Sequence, residues 1–252
     1  DISGLPGAEK LNIVKIAPGS ENMHKGPAMT REQAVAALEA GINIANQAVA
    51  DGAQLLGTGD LGIANTTPSA AILSVMKDIP VAEATGRGTG VDDEGLRNKI
   101  KVIEESIELN KPDKNDAIDV LSKVGGYDIA GIAGSILGAA YNRVPIFVDG
   151  FISTAGALIA LGLNPTVADY ILPSHRSQEP GHDRMWSAIG KEPLLDLNFR
   201  LGEGTGGAVA MHLAECACRI INDMLTFSDA GVSNSDTATV DTFADGQTPA
   251  GE

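Results

Sequence analysis

The chain has 252 residues, and its 18 Lys and Arg stand against 33 Asp and Glu, for a formal charge of −15 with 43% apolar residues. Such a surface gives no electrostatic footprint for nucleic acid or anionic lipid, and no apolar run reaches the length of a membrane span, so neither is an expected partner. The length suffices for a substantial core in one large or two modest domains.

Short apolar runs alternate with longer helical patterns, which predicts an α/β protein built on a mostly parallel sheet with flanking helices. The predicted strands are 11–16, 53–56, 79–82, 144–148, 170–172 and 194–197. Their brevity and continuous apolar character suit strands buried on both faces. The first helix is capped by Thr30, with Gln33 at the capping-box position and Ala34, Ala37, Leu38, Gly41, Ile42, Ala45, Ala48 and Val49 on its apolar face. Further helices are predicted at 68–76, 92–109, 116–124, 127–141, 154–161 and 206–227. Gly and Ala dominate around 129–140 and 206–218, predicting close packing against the sheet or a partner subunit. Cys216 and Cys218 stand two apart in a predicted helix and point in different directions, as free cytosolic thiols would. Residues 1–232 read as the α/β core, and the Ser/Thr/Asp/Gly-rich stretch 233–252 as a disordered tail. No secretory signal is read at the start, and Asp1 in place of Met is what a fragment or processed product shows.

The tripeptide Gly-Thr-Gly recurs at 57–59, 88–90 and 204–206, each time where a strand or loop hands over to a helix. Loops so placed are expected to gather outside the carboxyl ends of the strands, where open parallel sheets bind ligands. In the first, Gly57, Gly59 and Gly62 satisfy G-x-G-x-x-G, with Glu83 where a ribose-binding acid would follow, but Asp60 would set a carboxylate against a pyrophosphate. Asn65, Thr66 and Thr67 at a helix start fit a single phosphate instead. A plain cap before Pro68 explains them equally well. The second segment, 86–95, carries Asp92, Asp93 and Glu94 as first-turn helix acids, with Lys99 beyond. The third, 174–182, holds His175, Glu179 and His182 without zinc-site spacing, and reads as a polar loop contacting substrate. His24 and His212 read as structural or exposed, and Trp186 as packing. In the fourth, 196–208, Glu203 sits between Gly202 and Gly204 beside Leu201. An apolar neighbour there would make it a useful base, while a helix N-terminus would equally account for the acid.

These four segments in this order, with Val148-Asp149-Gly150-Phe151-Ile152-Ser153-Thr154-Ala155 between the second and third, closely resemble the nicotinate-nucleotide:dimethylbenzimidazole phosphoribosyltransferases of cobalamin lower-ligand assembly. The resemblance runs from Gly26-Pro27-Ala28-Met29-Thr30 to Phe227. It implies a cytoplasmic, Rossmann-like α/β homodimer with a partial helical small domain and no cofactor or metal. Its reaction moves phosphoribose from nicotinate mononucleotide to 5,6-dimethylbenzimidazole or a related base, giving α-ribazole phosphate and nicotinate. Glu203 matches the family's general base. Asp60 matches its nicotinate-side acid, where the family usually has Glu in a Gly-Glu-Met-Gly-Ile-Gly-Asn-Thr-Thr run. Here Asp60, Leu61 and Ala64 differ from that run, a change able to shift substrate by about an ångström. By the same matching Gly62, Ile63, Asn65, Thr66, Thr67, Gly88, Lys99, Gly150 and Ser177 line the nucleotide pocket. Gly202 and Gly204 flank the base, and Leu61 and Leu201 form the aromatic slot. Family members carry a further N-terminal part, with a helical segment and an Asp-His-Gly-Val strand motif that helps wall this slot. The present chain is therefore expected to begin inside the sheet with an apolar edge exposed. The rival readings are an NAD-binding Rossmann oxidoreductase and a non-catalytic or partner-dependent nucleotide-binding subunit.

Overall fold

The computed structural model describes residues 11–88 and 90–231, and the tail expected at 233–252 lies outside them. Two compact units are present, Asp1–His212 and Leu213–Glu252.

In the first unit, three parallel strands lie side by side in the order β1 (Leu56–Gly57), β2 (Ile146–Val148) and β3 (Ile171–Pro173). Ile146 of the central strand pairs with Leu56 on one side and Ile171 on the other. All of β2 is buried. A strand covered on both faces has no polar side to show, which is why it reads as a bare apolar run. Around the sheet run α1 (Arg31–Ala50), α2 (Thr66–Lys77), α3 (Val81–Ala84), α4 (Asp93–Asn110), α5 (Ala117–Val124), α6 (Tyr127–Tyr141), α7 (Phe151–Leu163) and α8 (Gly181–Ile189), and α9 (Thr205–Asp223) follows in the chain. A 3₁₀ turn, Pro165–Tyr170, joins α7 to β3.

Local chemistry explains the helix starts. Thr30 and Gln33 form the expected reciprocal capping box of α1. Asp92 accepts from the Gly95 amide at 2.8 Å, and Asp116 accepts from the Ile118 and Asp119 amides, to cap α4 and α5. The small residues of α6 pack on α1 and α7. A Cβ on Gly134 would lie 2.0 Å from the Leu38 carbonyl oxygen, and one on Gly41 2.0 Å from that of Gly131, so the two helices touch backbone to backbone. α7 begins three residues before its expected start, and Phe151 through Ala160 are all buried, making it the central helix of the unit.

Three predicted strands are absent from the sheet. Segment 11–16 is open chain with Leu11, Ile13 and Val14 each more than half exposed, and no described strand pairs with it. At 79–82 Pro80, with φ −52°, caps α3, so the apolar residues Val81 and Ala84 are buried from a helical turn. At 194–197 only Leu195 pairs at all, through a single isolated parallel bridge to His175 beyond the end of β3. α8 was not expected; it buries His182, Met185 and Trp186 beneath the loop that follows β3.

In the second unit, the chain from Leu213 continues α9 to Asp223, with Arg219 paired to Glu215 at 2.9 Å. Ile220, Ile221, Met224, Leu225 and Phe227 are each more than half exposed there. Cys216 and Cys218 are exposed free thiols.

Candidate active site

A cavity of about 380 Å³ opens at the carboxyl ends of the three strands. Its walls are 60–63 and Thr66 after β1, Gly88, Gly150 to Ile152 after β2, His175, Ser177 and Glu179 after β3, and 200–203 before α9. The recurrent glycine loops thus converge as expected. A larger space of about 490 Å³ lies beside β1 among α1, α6 and segment 12–17, but neither Glu203 nor Asp60 reaches it.

The two acids are joined through the backbone: the Glu203 amide donates to the Asp60 carbonyl at 2.9 Å. A Cβ on Gly59 would lie 2.6 Å from the Gly204 nitrogen, so this crossing of the first and third glycine loops needs a residue without a side chain. Glu203 itself has φ +59°, between Gly202 and Gly204 at +75° each. A non-glycine residue in that region stores strain of about 1–2 kcal/mol and is characteristic of functional loops. Leu201 is 62% exposed, and Leu61 and Ile63 are each 72% exposed, so the apolar enclosure expected around Glu203 is not built by these residues.

Asp60 is 8% exposed; its Oδ2 accepts from Asn65 at 3.4 Å and its Oδ1 has no partner. Burial pushes its carboxyl up to about 6, the nearby Asp149 and Asp128 adding to the effect while Asn65 and the Gly62 amide oppose it. The native state thus holds this proton more tightly than the unfolded chain, so stability falls as pH rises from about 4 to about 6 and is flat above. Asp60→Asn is expected to raise stability at pH 8 by about 2 kcal/mol and to give no gain near pH 4. Urea midpoints at the two pH values check this; equal gains at both would contradict it.

At the Thr66 corner Lys99, reaching from α4, donates to Thr66 Oγ1 at 2.8 Å and to the Gly86 carbonyl at 3.1 Å. Burial lowers its pKa, while Glu179 draws it back up. Gly88 has φ +56°, and a Cβ there would lie 2.9 Å from Thr66 Oγ1. Asn65 and Thr67 do not join this corner. Asn65 turns its amide to Asp128, donating at 2.8 Å. Thr67, one position along α2 from Thr66 and so rotated away, lines a separate space with Ala64 and Val102. Glu83, the acid of the dinucleotide reading, is on α3 and pairs with Arg184 at 2.7 Å, away from the cavity.

Behind the cavity lies a buried polar frame. Ser177 donates its amide to His182 Nδ1 at 2.8 Å, while His182 Nε2 accepts from the Trp186 indole N–H at 2.9 Å and lies 2.9 Å from Thr154 Oγ1. That hydroxyl donates in turn to the Gly150 carbonyl at 2.8 Å. His182 therefore ties two walls together, and burial holds its pKa at about 3, with His175 and Arg176 contributing. Both ring nitrogens are engaged, so the third segment does not present a free histidine pair for zinc. Asp149, wholly buried, accepts from the Gly204 amide at 3.1 Å and the Gly207 amide at 3.0 Å, with His175 Nδ1 3.5 Å away. The Gly204 amide is thereby committed to Asp149. Gly206 lets His175 approach, since a Cβ would fall 1.9 Å from its Nδ1. Asp149 and Arg200 were not singled out as site residues by sequence, and His175 and Glu179 only within the polar loop 174–182 expected to contact substrate. The available signal was an acid closing a buried apolar strand directly before a glycine and a helix.

The sequence profile of the family described as Phosphoribosyltransferase matches residues 2–232. The nicotinate-nucleotide–dimethylbenzimidazole phosphoribosyltransferase of Geobacter sulfurreducens is 57% identical over 236 residues, 94% of this chain and 66% of the relative. That of Geotalea uraniireducens is 54% identical over the same shares. The solved structure of CobT from Thermus thermophilus superposes with a TM-score of 0.85 at 43% identity, covering 91% of this chain and 68% of that one. The chain spans 66% of the length of these two curated relatives.

Proposed function

The chain belongs to the nicotinate-nucleotide–dimethylbenzimidazole phosphoribosyltransferase family, and on that premise we propose that it moves phosphoribose from nicotinate mononucleotide to 5,6-dimethylbenzimidazole or a related base. The observation that carries this is one cavity lined by the acids Glu203 and Asp60 together with Thr66, Gly88 and Ser177, with Lys99 bonded to Thr66. Such a lining suits a phosphoribosyl group bound in the cavity.

The chemistry asks little at the leaving group. Nicotinate departs as a neutral pyridine from a pyridinium, so no acid is needed. The incoming benzimidazole must lose its N–H proton as the other ring nitrogen attacks C1′. Glu203 takes that proton as general base. Asp60 stands by the nicotinate side, where a carboxylate steadies oxocarbenium-like charge at C1′. Backbone amides of the glycine loops, Ser177 and Lys99 hold the phosphate far from C1′, so binding energy there fixes the sugar in line for attack. The overall negative charge does not oppose this, because local amides and one lysine set the potential at the phosphate.

A homodimer is part of the proposal, supported by the exposed Ile220, Ile221, Met224, Leu225 and Phe227 of the second unit. A cytoplasmic setting is supported by the free thiols of Cys216 and Cys218. Among the described residues no helix is long and apolar enough to cross a membrane.

Mass spectrometry after incubation with nicotinate mononucleotide and 5,6-dimethylbenzimidazole tests the reading. Expected are nicotinate and a ribazole phosphate in equal amounts. The exposure of Leu61, Ile63 and Leu201 favours one second reading, in which a partner completes the aromatic slot; it predicts nucleotide binding without product.

A further inference from the structure

Glu179 stands in the phosphate corner, and the mechanism above gives it no task. It follows Ser177, whose Oγ accepts from its amide at 3.4 Å, and its side chain lines the cavity. Its Oε2 is buried without a hydrogen-bond partner and rests against Gly86, where a Cβ would come within 2.0 Å. The facing groups are few. Lys99 approaches from α4, already bonded to Thr66 and the Gly86 carbonyl, and Arg200 approaches from the loop before α9. Arg87 on the facing loop is committed to Asp93 and the Val91 carbonyl. From α8, Arg184 is paired with Glu83, and His182 is held neutral. Asp60, Glu203 and His175 complete the titratable lining.

A phosphate monoester placed among Thr66, Gly88 and Ser177 brings negative charge beside this carboxyl. An ionised Glu179 would repel it, whereas a neutral one can donate an O–H to a phosphate oxygen, a charge-assisted and therefore strong hydrogen bond. We propose that Glu179 is a proton-linked ligand of the substrate phosphate, protonated as the phosphate binds and donating a hydrogen bond to it. The proton comes from solvent and returns to it on release. Burial already raises the carboxyl above its ordinary value, while Lys99, the Gly88 amide and Arg200 hold it down. An arriving phosphate engages those same counter-charges, and the balance tips toward the neutral acid.

This inference rests on reading the corner as a phosphate site, and its test does not depend on turnover. Inorganic phosphate is titrated calorimetrically into the chain at pH 8, in two buffers of different ionisation enthalpy, alongside Glu179→Gln. The unaltered chain is expected to take up about one more proton per phosphate than the variant, and to lose affinity with rising pH by up to about tenfold per unit more steeply. The ligand's own titration is common to both proteins and cancels. Equal proton numbers and equal pH slopes would overturn the proposal, as would failure of phosphate to bind. If Glu179→Gln does not fold, zero proton uptake by the unaltered chain overturns it equally well. Proton uptake without any product from nicotinate mononucleotide would contradict only the proposed transfer reaction.

Discussion

Glu203→Gln is expected to lower turnover by about 10²- to 10⁴-fold, the range for removing a general base, while leaving affinity for nicotinate mononucleotide within about twofold. The amide keeps the shape of the side chain and cannot accept the benzimidazole proton. Steady-state rates and equilibrium binding measured on the same preparation separate the two effects. A companion substitution exposes the cost of the arrangement: Glu203 has φ +59°, which glycine adopts freely. Glu203→Gly is therefore expected to be inactive yet more stable by about 1 kcal/mol, because the strain of the left-handed residue is relieved. An active Glu203→Gln, or a destabilised Glu203→Gly, would remove the reason for placing the carboxylate in that loop.

The second large effect is expected at Asp149. Its two carboxylate oxygens take one amide each, from Gly204 and Gly207, and so fix the loop carrying Glu203 to the end of β2. Asp149→Ala leaves the buried Gly207 amide and the half-buried Gly204 amide unpaired beside His175, whose pKa burial lowers and Asp149 raises. Loss of about 3 kcal/mol or more in stability is expected. Asp149→Asn is the finer probe, since the amide can accept only at its oxygen and must turn its NH₂ toward the other donor. It is expected to fold, with stability lower by about 1–3 kcal/mol and kcat reduced more than nucleotide affinity. Circular dichroism melts and a kcat-against-KM comparison distinguish this from a residue that only packs. Unchanged kcat in a folded Asp149→Asn would show that the loop needs no such anchor.

Much of this was legible in the residues. The capping box at Thr30 and Gln33, the acids before α4 and α5, and the glycine and alanine content of α6 all act locally, so the pattern and the structure agree. The convergence of the glycine loops followed from parallel topology alone. What failed did so for tertiary reasons. The run at 79–82 is apolar enough for a strand, but Pro80 turns it into a helical start, and Leu194 and Leu197 remain exposed around one bridge. α8 escaped because its first turn, Gly181 to Arg184, reads as polar loop; its His182 is held by Ser177 and Trp186 nearby and by Thr154 on α7. Within the site, Thr66 and Thr67 could not be told apart without the rotation of α2. Asp149 and Glu179 became visible only through the amides and cations that three separated loops bring to them.

The proposed reaction is a single displacement at C1′, with the incoming base on the Glu203 side and nicotinate leaving opposite. Such a reaction inverts the β-riboside of nicotinate mononucleotide. The most direct measurement is the proton NMR spectrum of the ribazole phosphate isolated from the reaction, read at the anomeric position. The α anomer alone is expected; a β anomer would require two displacements or attack from the leaving-group side, and would contradict a single displacement.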